Sequence, residues 1–520
     1  MNRKYLYLAV FFSGMTTLAV ELTASRLIGN YFGASNLVWA SIIGLILIYL
    51  AAGYTIGGQW ADRSPHYRTF YQILVWAAFT VGLVPIISRP VLQLAANAFD
   101  QMQMGVLFGS FVTILVLLIV PVILLGMASP FALRLAIQDA RKAGSVSGRI
   151  SSISTLGSFI GTFLPVLLLV PLVGTYRTFL TLSGILLIVA LIGLWLSAGW
   201  RLLAAYAWMP VVIAVLAIIG VRGDDKNPEG LLYEAESAYN YIQVLELENG
   251  YRALRLNEGQ GIHSYYHPTQ INFSGPWEQV LAGPFFNPAP YSVDQVKSLA
   301  IVGLAAGTTA TQATAVFGSD IAIDGIEIDP EIVKVGRDYF GMTQPNLNVI
   351  VQDGRWALAH SPRTYQIVSI DAYRPPYIPW HLTTREFFQE VRDHLTDDGV
   401  MVINVGRTDQ DRSLINAFCK TIGSVFPSVY VMDVPGSFNS IIYATVQFTS
   451  ARNLADNLAD LQKQPDANPL LVSAMTLALE NMQPVVAEGQ VFTDDLAPIE
   501  WITNNMVMDF FLSGEVEALE

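Results

Sequence analysis

The first 222 residues hold four Asp or Glu against thirteen Lys or Arg, and the rest is dominated by seven apolar stretches near 5–28, 36–60, 69–88, 104–130, 150–172, 176–197 and 201–221. An apolar segment of about 20 residues is long enough to cross a bilayer as a helix. Inside hydrocarbon every backbone N–H and C=O must be satisfied within the segment, so a helical membrane bundle is expected over residues 1–222. The first stretch runs through Glu21 to Arg26 with no small-residue cleavage site and six more follow, so it reads as an anchor and not as a signal peptide. Small residues in GYTIGG (53–58) and GSFIGT (157–162) predict close helix–helix approach. An acid inside a spanning helix is costly, so Glu21 either has a function or is neutralised by Arg26 nearby.

Basic residues near span ends mark the cytoplasmic side. Arg3, Lys4, Arg63, Arg68, Arg134, Arg141, Lys142, Arg149 and Arg201 fall on the side of the N-terminus, and Arg26, Arg89, Arg177 and Arg222 on the other. That bias puts the N-terminus inside, and seven crossings then deliver the C-terminal half outside. The expectation kept is a multi-pass plasma (inner) membrane protein with its C-terminal domain in the cytoplasm, in conflict with that count, for the chemistry read from the second half below.

The second half is of another kind. Of the chain's 29 basic and 42 acidic residues, 16 and 38 lie beyond residue 222, a net charge of −22. Such a surface repels nucleic acid and tolerates cationic substrates, or simply keeps the domain soluble. The single cysteine, Cys419, rules out an internal disulfide and a cysteine-based zinc site, and no metal is called for. The polar run RGDDKNPEG, starting near residue 222, marks a linker. Residues 233–275 alternate apolar and polar in two runs joined at Glu248–Asn249–Gly250, a hairpin signal, giving a linker and β-rich leader over 223–292. Beyond it, strands are expected at 298–303, 321–327, 347–351, 365–371, 399–405 and 428–432. Helices at 307–317, 329–339, 383–395 and 411–424 alternate with them, predicting a parallel sheet covered on both faces, a Rossmann-like domain over 293–520 with a helical extension.

Within that pattern IVGLAAGTTATQA (301–313) is a buried strand, a glycine turn at Gly303 and Gly307, and a helix, where a doubly wound sheet takes a nucleotide-like ligand. Glu327 ends the next strand, placed to hold two ribose hydroxyls. QDGR brings Asp353 and Gly354, and IDAYRPPYIPWHLTTREFF brings Asp371 at the end of the fourth strand.

This ordered set resembles the spermidine synthase family over roughly residues 230–450, and the leading bundle resembles its membrane-fused bacterial members. The resemblance implies a class I methyltransferase-type fold. Its donor would be decarboxylated S-adenosylmethionine, or S-adenosylmethionine itself, held by Gly303, Gly307, Glu327, Asp353 and Gly354. Asp371 would be the acid that keeps an attacking amine deprotonated, or else a turn cap before the proline loop. Gln260, His263, Tyr373, Arg374, Tyr377 and Trp380 would line the substrate site; the three aromatics either surround a cation or pack the loop. A small amine or polyamine, the bilayer and a homodimer are the implied partners.

Two departures stand out. The family's GGGDGG turn is GLAAGTTA here, with Ala306 where the acid belongs, and its DSxDP loop becomes Asp371–Ala372–Tyr373–Arg374–Pro375. A cation where a polyamine meets a carboxylate puts a diamine acceptor in question. Asp494 and Asp495, in TDDLAPIE, either replace the missing acids or cap the next helix. The leading expectation is aminopropyl transfer to an amine with release of methylthioadenosine. The alternatives are methyl or aminocarboxypropyl transfer or donor cleavage, and a non-catalytic polyamine or nucleoside transporter or sensor. The last is motivated by Ala306, by Arg374 and by the conflict over sidedness; separately, GGQWADRSPHYR (57–68) resembles a loop of major facilitator transporters.

Overall fold

The computed structural model describes residues 3–32, 36–102, 106–219, 230–257, 261–373, 377–408 and 411–513. The linker expected at 223–229 lies outside the described residues. Two compact units are formed, one from Met1–Asn227 with Ala235–Tyr241 and the other from Pro228–Glu234 with Ile242–Glu520.

Six helices of the first unit are long and apolar enough to cross a membrane: Arg3–Gly29, Val38–Arg63, Tyr67–Ser88, Val112–Ala136, Ala140–Val173 and Thr175–Ala198. The expected seventh span is not a continuous helix. It forms two pieces, Trp200–Tyr206 and Trp208–Ile219, broken at Ala207. Pro210 has no N–H to give to the carbonyl of Tyr206 four residues earlier, and its ring crowds that carbonyl, which weakens the helix here, although the fourth helix carries Pro121 and Pro130 without a break. Even so, the broken stretch follows the third helix along its length. Gln72 donates to the Tyr206 hydroxyl at 3.0 Å, Trp208 lies against Phe79 with ring centres 5.1 Å apart, and Ile213 reaches Gly82.

Glycines set the helix spacing as expected. A Cβ on Gly157 would lie 2.1 Å from the Phe11 carbonyl oxygen and one on Gly161 2.1 Å from that of Met15, so the first and fifth helices touch backbone to backbone. Gly53 and Gly57 do the same for the second and fourth, at Ile123 and Met127. An ion pair of 3.1 Å between Asp62 and Arg134 joins the ends of that second pair of helices. Arg26, expected beside Glu21, sends its guanidinium to the carbonyls of Ser237 at 2.6 Å and Tyr239 at 3.2 Å. Thr175 donates its N–H and hydroxyl to Glu236 at 2.5 and 2.8 Å. Segment 235–241 thus sits at the bundle end farthest from the N-terminus, since Arg26 stands 23 residues, about 35 Å, along the first helix from Arg3.

The second unit begins with a sheet of β1 (Leu231–Glu236), β2 (Tyr241–Glu246), β3 (Arg252–Leu256) and β4 (Ser264–Tyr266), in that order. The Asn-Gly signal holds, with Asn249 at φ 62° and Gly250 at φ 83° turning the chain between β2 and β3. The large sheet contains β5 (Ser298–Val302), β6 (Ala322–Glu327), β7 (Leu347–Val351), β8 (Tyr365–Ile370), β9 (Leu395–Gly406), β10 (Ser428–Asp433), β11 (Asn439–Thr445) and β12 (Met482–Gln483). Its order is β12-β10-β11-β9-β8-β5-β6-β7. The expected all-parallel sheet is corrected here: β5 to β9 are parallel, but β11 inserts antiparallel between β9 and β10. A short loop from β10 brings β11 straight back, and a hairpin can only return antiparallel.

Both faces are covered. Leu299, Ile301, Ile323, Ile367 and Val402 pack under helices 308–317, 451–461 and 469–480. Val302, Ile326, Val368, Ile370 and Ile403 pack under helices 354–359, 385–393, 413–423 and 499–513. Each fully buried Val, Leu or Ile contributes about 1.5–3 kcal/mol relative to exposure, which fixes the strand ends described next. Gly157→Leu is expected to force the first and fifth helices apart and destabilise the bundle by about 1–3 kcal/mol, seen as a lower melting midpoint of the detergent-purified chain.

Candidate active site

The parallel strands end on one edge, and the strand order reverses between β5 and its neighbours β6 and β8, the position where open α/β sheets bind ligands. Val302 pairs with Ile326 and with Ile370, and Ile370 with Ile403. One residue further on, Gly303, Glu327, Asp371 and Asn404 therefore share a single rung.

Gly303 has φ 93°, and a Cβ there would stand 2.4 Å from the Asp371 carbonyl oxygen. Only glycine lets the end of β8 pass over the turn, and the Asp371 N–H donates to the Val302 carbonyl at 2.9 Å. Gly307, at φ 91°, starts helix 308–317. Between them Ala305 donates its N–H to Glu327 Oε2 at 2.9 Å, while Asp329 donates to Oε1 at 3.1 Å. Burial pushes the Glu327 carboxyl up to about 7, against these hydrogen bonds and with the help of nearby Asp329. Each oxygen keeps a lone pair for a hydroxyl donor.

Ala306 is sealed. It packs with Ile242, Val244, Leu254, Ile332, Val335 and Phe340, and its N–H goes to Ser264 Oγ at 3.0 Å. Together with the Tyr265–Thr308 hydrogen bonds, this staples β4 onto the glycine turn. His263, the residue before Ser264, is held by its N–H to the Leu254 carbonyl. Burial pushes its imidazole down to about 4, so the ring is neutral at pH 7. Its Nε2 is buried with no hydrogen-bond partner among the described residues.

Asp353 already serves the protein with both oxygens. Oδ1 accepts from the Trp356 N–H at 3.0 Å, capping helix 354–359, and Oδ2 lies 3.1 Å from His381 Nε2. At Gly354 a Cβ would meet Val302 at 2.6 Å, so this glycine lets the helix press onto β5. Asp371 caps no helix among the described residues. Its Oδ1 accepts from Asn404 Nδ2 at 3.0 Å, and burial pushes its carboxyl up to about 6 although that hydrogen bond pulls it down.

No ring contact joins Tyr373, Tyr377 and Trp380 among the described residues. Tyr373 stays near Asp371, its hydroxyl donating to the Asn404 carbonyl at 3.3 Å. Tyr377 is buried and donates to Asn504 at 2.5 Å, a packing role, and Trp380 is 48% exposed beside His381. Gln260 and Arg374 lie outside the described residues.

Three residues in or near the site carried no role in the sequence reading: His381, Asn404 and Arg355. Arg355 donates to Glu390 at 2.6–3.1 Å, to Asp494 at 2.7 and 2.8 Å, and to the His381 carbonyl at 3.2 Å. Asp494, expected to cap a helix or replace a missing acid, instead accepts from Arg355 and from the Thr384 hydroxyl at 2.7 Å. The Arg355 guanidinium holds its carboxyl below the usual range. The C-terminal segment is thereby clasped to Arg355, which also holds the carbonyl of His381, the residue beside Asp353.

The sheet order, with an antiparallel strand inserted near one edge, and the rung of Gly303, Glu327 and Asp371 define a nucleoside-binding domain of the methyltransferase type. Residues 297–456 match the spermine/spermidine synthase domain family. The C-terminal half of the chain carries a spermidine synthase domain. A probable polyamine aminopropyl transferase of Bifidobacterium longum is 30% identical over 284 residues, covering 52% of this chain and 61% of that protein. A polyamine aminopropyltransferase of Vibrio vulnificus is 28% identical over 287 residues, 52% of this chain and 90% of that one. Polyamine aminopropyltransferase 2 of Ralstonia nicotianae is 23% identical over 421 residues, 78% of this chain and 79% of that one. The last match is longer than the whole of residues 230–520 and so runs on into the helical half.

Arg355→Ala is expected to release the 493–497 segment and cost about 1–2 kcal/mol, discounted for the exposure of Asp494. Faster limited proteolysis between residues 484 and 498 would report it.

Proposed function

We propose that the protein is a membrane-integrated aminopropyltransferase that moves an alkyl arm from an adenosylmethionine-type sulfonium to an amine. The observation that carries this reading is Asp371: a half-buried carboxylate on the rung of the nucleoside turn, with one oxygen tied to Asn404 and the other without a hydrogen-bond partner among the described residues. The sulfonium supplies the electrophilic carbon and leaves as a neutral thioether, methylthioadenosine. Glu327 holds the ribose, the turn at Gly303–Gly307 gives the nucleoside its close approach, and the orphaned Nε2 of neutral His263 offers a further hydrogen bond. Asp371 takes the proton that the amine nitrogen loses as its bond to carbon forms. The sealed Ala306 offers no anion to the donor's amine end, which leaves the choice between the decarboxylated and the intact donor to experiment.

Incubation of the purified chain with each donor, with and without a polyamine panel, is expected to yield methylthioadenosine from the decarboxylated donor in the presence of an amine. Adenosylhomocysteine instead would make it a methyltransferase, and no product with intact binding would remove the enzyme reading. Asp371→Asn should lower turnover by about 10²–10⁴-fold with donor affinity kept. A base works only when ionised and burial pushes this one up to about 6, so kcat/KM should fall more steeply once pH drops below about 6.

The chain, on this reading, crosses the plasma membrane seven times, the last time as the broken helix. Support comes from the packing of 200–219 along the third helix and from segment 235–241 at the end opposite the N-terminus. The donor is made in the cytosol, so the synthase domain faces the cytoplasm and the N-terminus the other side, against the basic-residue bias. A fluorescent protein at the C-terminus should glow and alkaline phosphatase there should be inactive; the reverse would deprive the domain of its donor.

A further inference from the structure

We infer that Asn404 is the second half of the amine-binding site, orienting the nucleophile together with Asp371; this rests on the transfer reading above. Asn404 is 8% exposed, on the same rung as Asp371, and its Nδ2 donates to Asp371 Oδ1 at 3.0 Å. Its Oδ1 is buried and has no hydrogen-bond partner among the described residues. The amide cannot be turned the other way round while Asp371 is ionised, because that would set an oxygen against a carboxylate oxygen. Nδ2 and Oδ1 share one carbon, so the unpartnered acceptor stands beside the carboxylate.

An orphaned buried carbonyl costs free energy of the order of 1–3 kcal/mol, which a fold recovers when a ligand supplies the missing donor. A neutral primary amine has two N–H groups and one lone pair. With one N–H on Asp371 Oδ2 and the other on Asn404 Oδ1, both rotations of the nitrogen are fixed and its lone pair has a single direction. In the transfer the lone pair forms the C–N bond, the C–S bond breaks with its electron pair going to sulfur, and one amine proton passes to Asp371. Asn404 keeps its hydrogen bond throughout and takes no proton. The Tyr373 hydroxyl, bonded to the Asn404 backbone carbonyl, anchors the same strand end without competing for the side chain.

The test is calorimetric binding of putrescine and spermidine to the full chain with methylthioadenosine present, alongside turnover, in Asn404→Leu and Asn404→Asp. Asn404→Leu is expected to keep methylthioadenosine affinity within about twofold while amine affinity falls about 10-fold or more, the scale of one lost hydrogen bond to a buried group. Its pH profile should break at higher pH, because the donor that lowers the Asp371 carboxyl is gone. Asn404→Asp keeps the shape, sets a like charge beside Asp371 and should move the break further up. Unchanged amine binding and an unchanged pH break in both variants overturn the inference. If the wild-type chain binds amine through Asn404 yet forms no product, the transfer reading fails and the inference about amine binding stands. Loss of methylthioadenosine binding in both variants would make Asn404 a purely structural residue and overturn it as well.

Discussion

The end of β8 passes over the glycine turn after β5 with no room for a side chain between them, and the edge of the sheet is organised by that crossing. Because Gly303 yields its space to the Asp371 backbone, the acid of the fourth strand stands level with the acid of the second, with the nucleoside turn between them. Two carboxylates in that position face opposite demands. On the proposed reading Glu327, clamped by backbone N–H groups, serves to hold, while Asp371, which among the described residues accepts only from the Asn404 amide, is left to accept a proton. Burial raises both, but the different hydrogen-bond partners separate what each can do.

Much of this edge was legible in the chain. Gly303, Glu327 and Asp371 each close a short run of buried apolar residues, and the place where such a run gives way to a turn is a strand end whatever the tertiary context. Asn404 gave no such signal, since it sits inside VINVG with apolar neighbours on both sides, and only the register between β8 and β9 brings it to Asp371. The clasp on Asp494 was equally hidden, as its partner Arg355 is 139 residues away in the chain. No strand was expected at 439–445, so β11 and its antiparallel insertion were both missed. The break at Ala207 had a local signal in Pro210 that apolar length alone overrode.

The helical half obeys a different physics. On the membrane reading proposed above, burying one apolar helix against another brings no hydrophobic gain and association rests on close contact, which Gly157, Gly161, Gly53 and Gly57 supply by letting backbones touch. Charge has a minor part, limited to pairs such as Asp62 with Arg134 near helix ends. Arg26 is spent on backbone carbonyls of segment 235–241, which belongs to the same compact unit as the first helix.

The Arg355 clasp also imposes an order of events on synthesis. A chain emerging from its N-terminus has its glycine turn, Glu327, Asp353 and Asp371 in hand long before Asp494 appears, and during that interval Arg355 has only Glu390 and the His381 carbonyl to hold. The Asp494 arm of the clasp therefore forms only after the strand ends that carry Glu327 and Asp371 have been made.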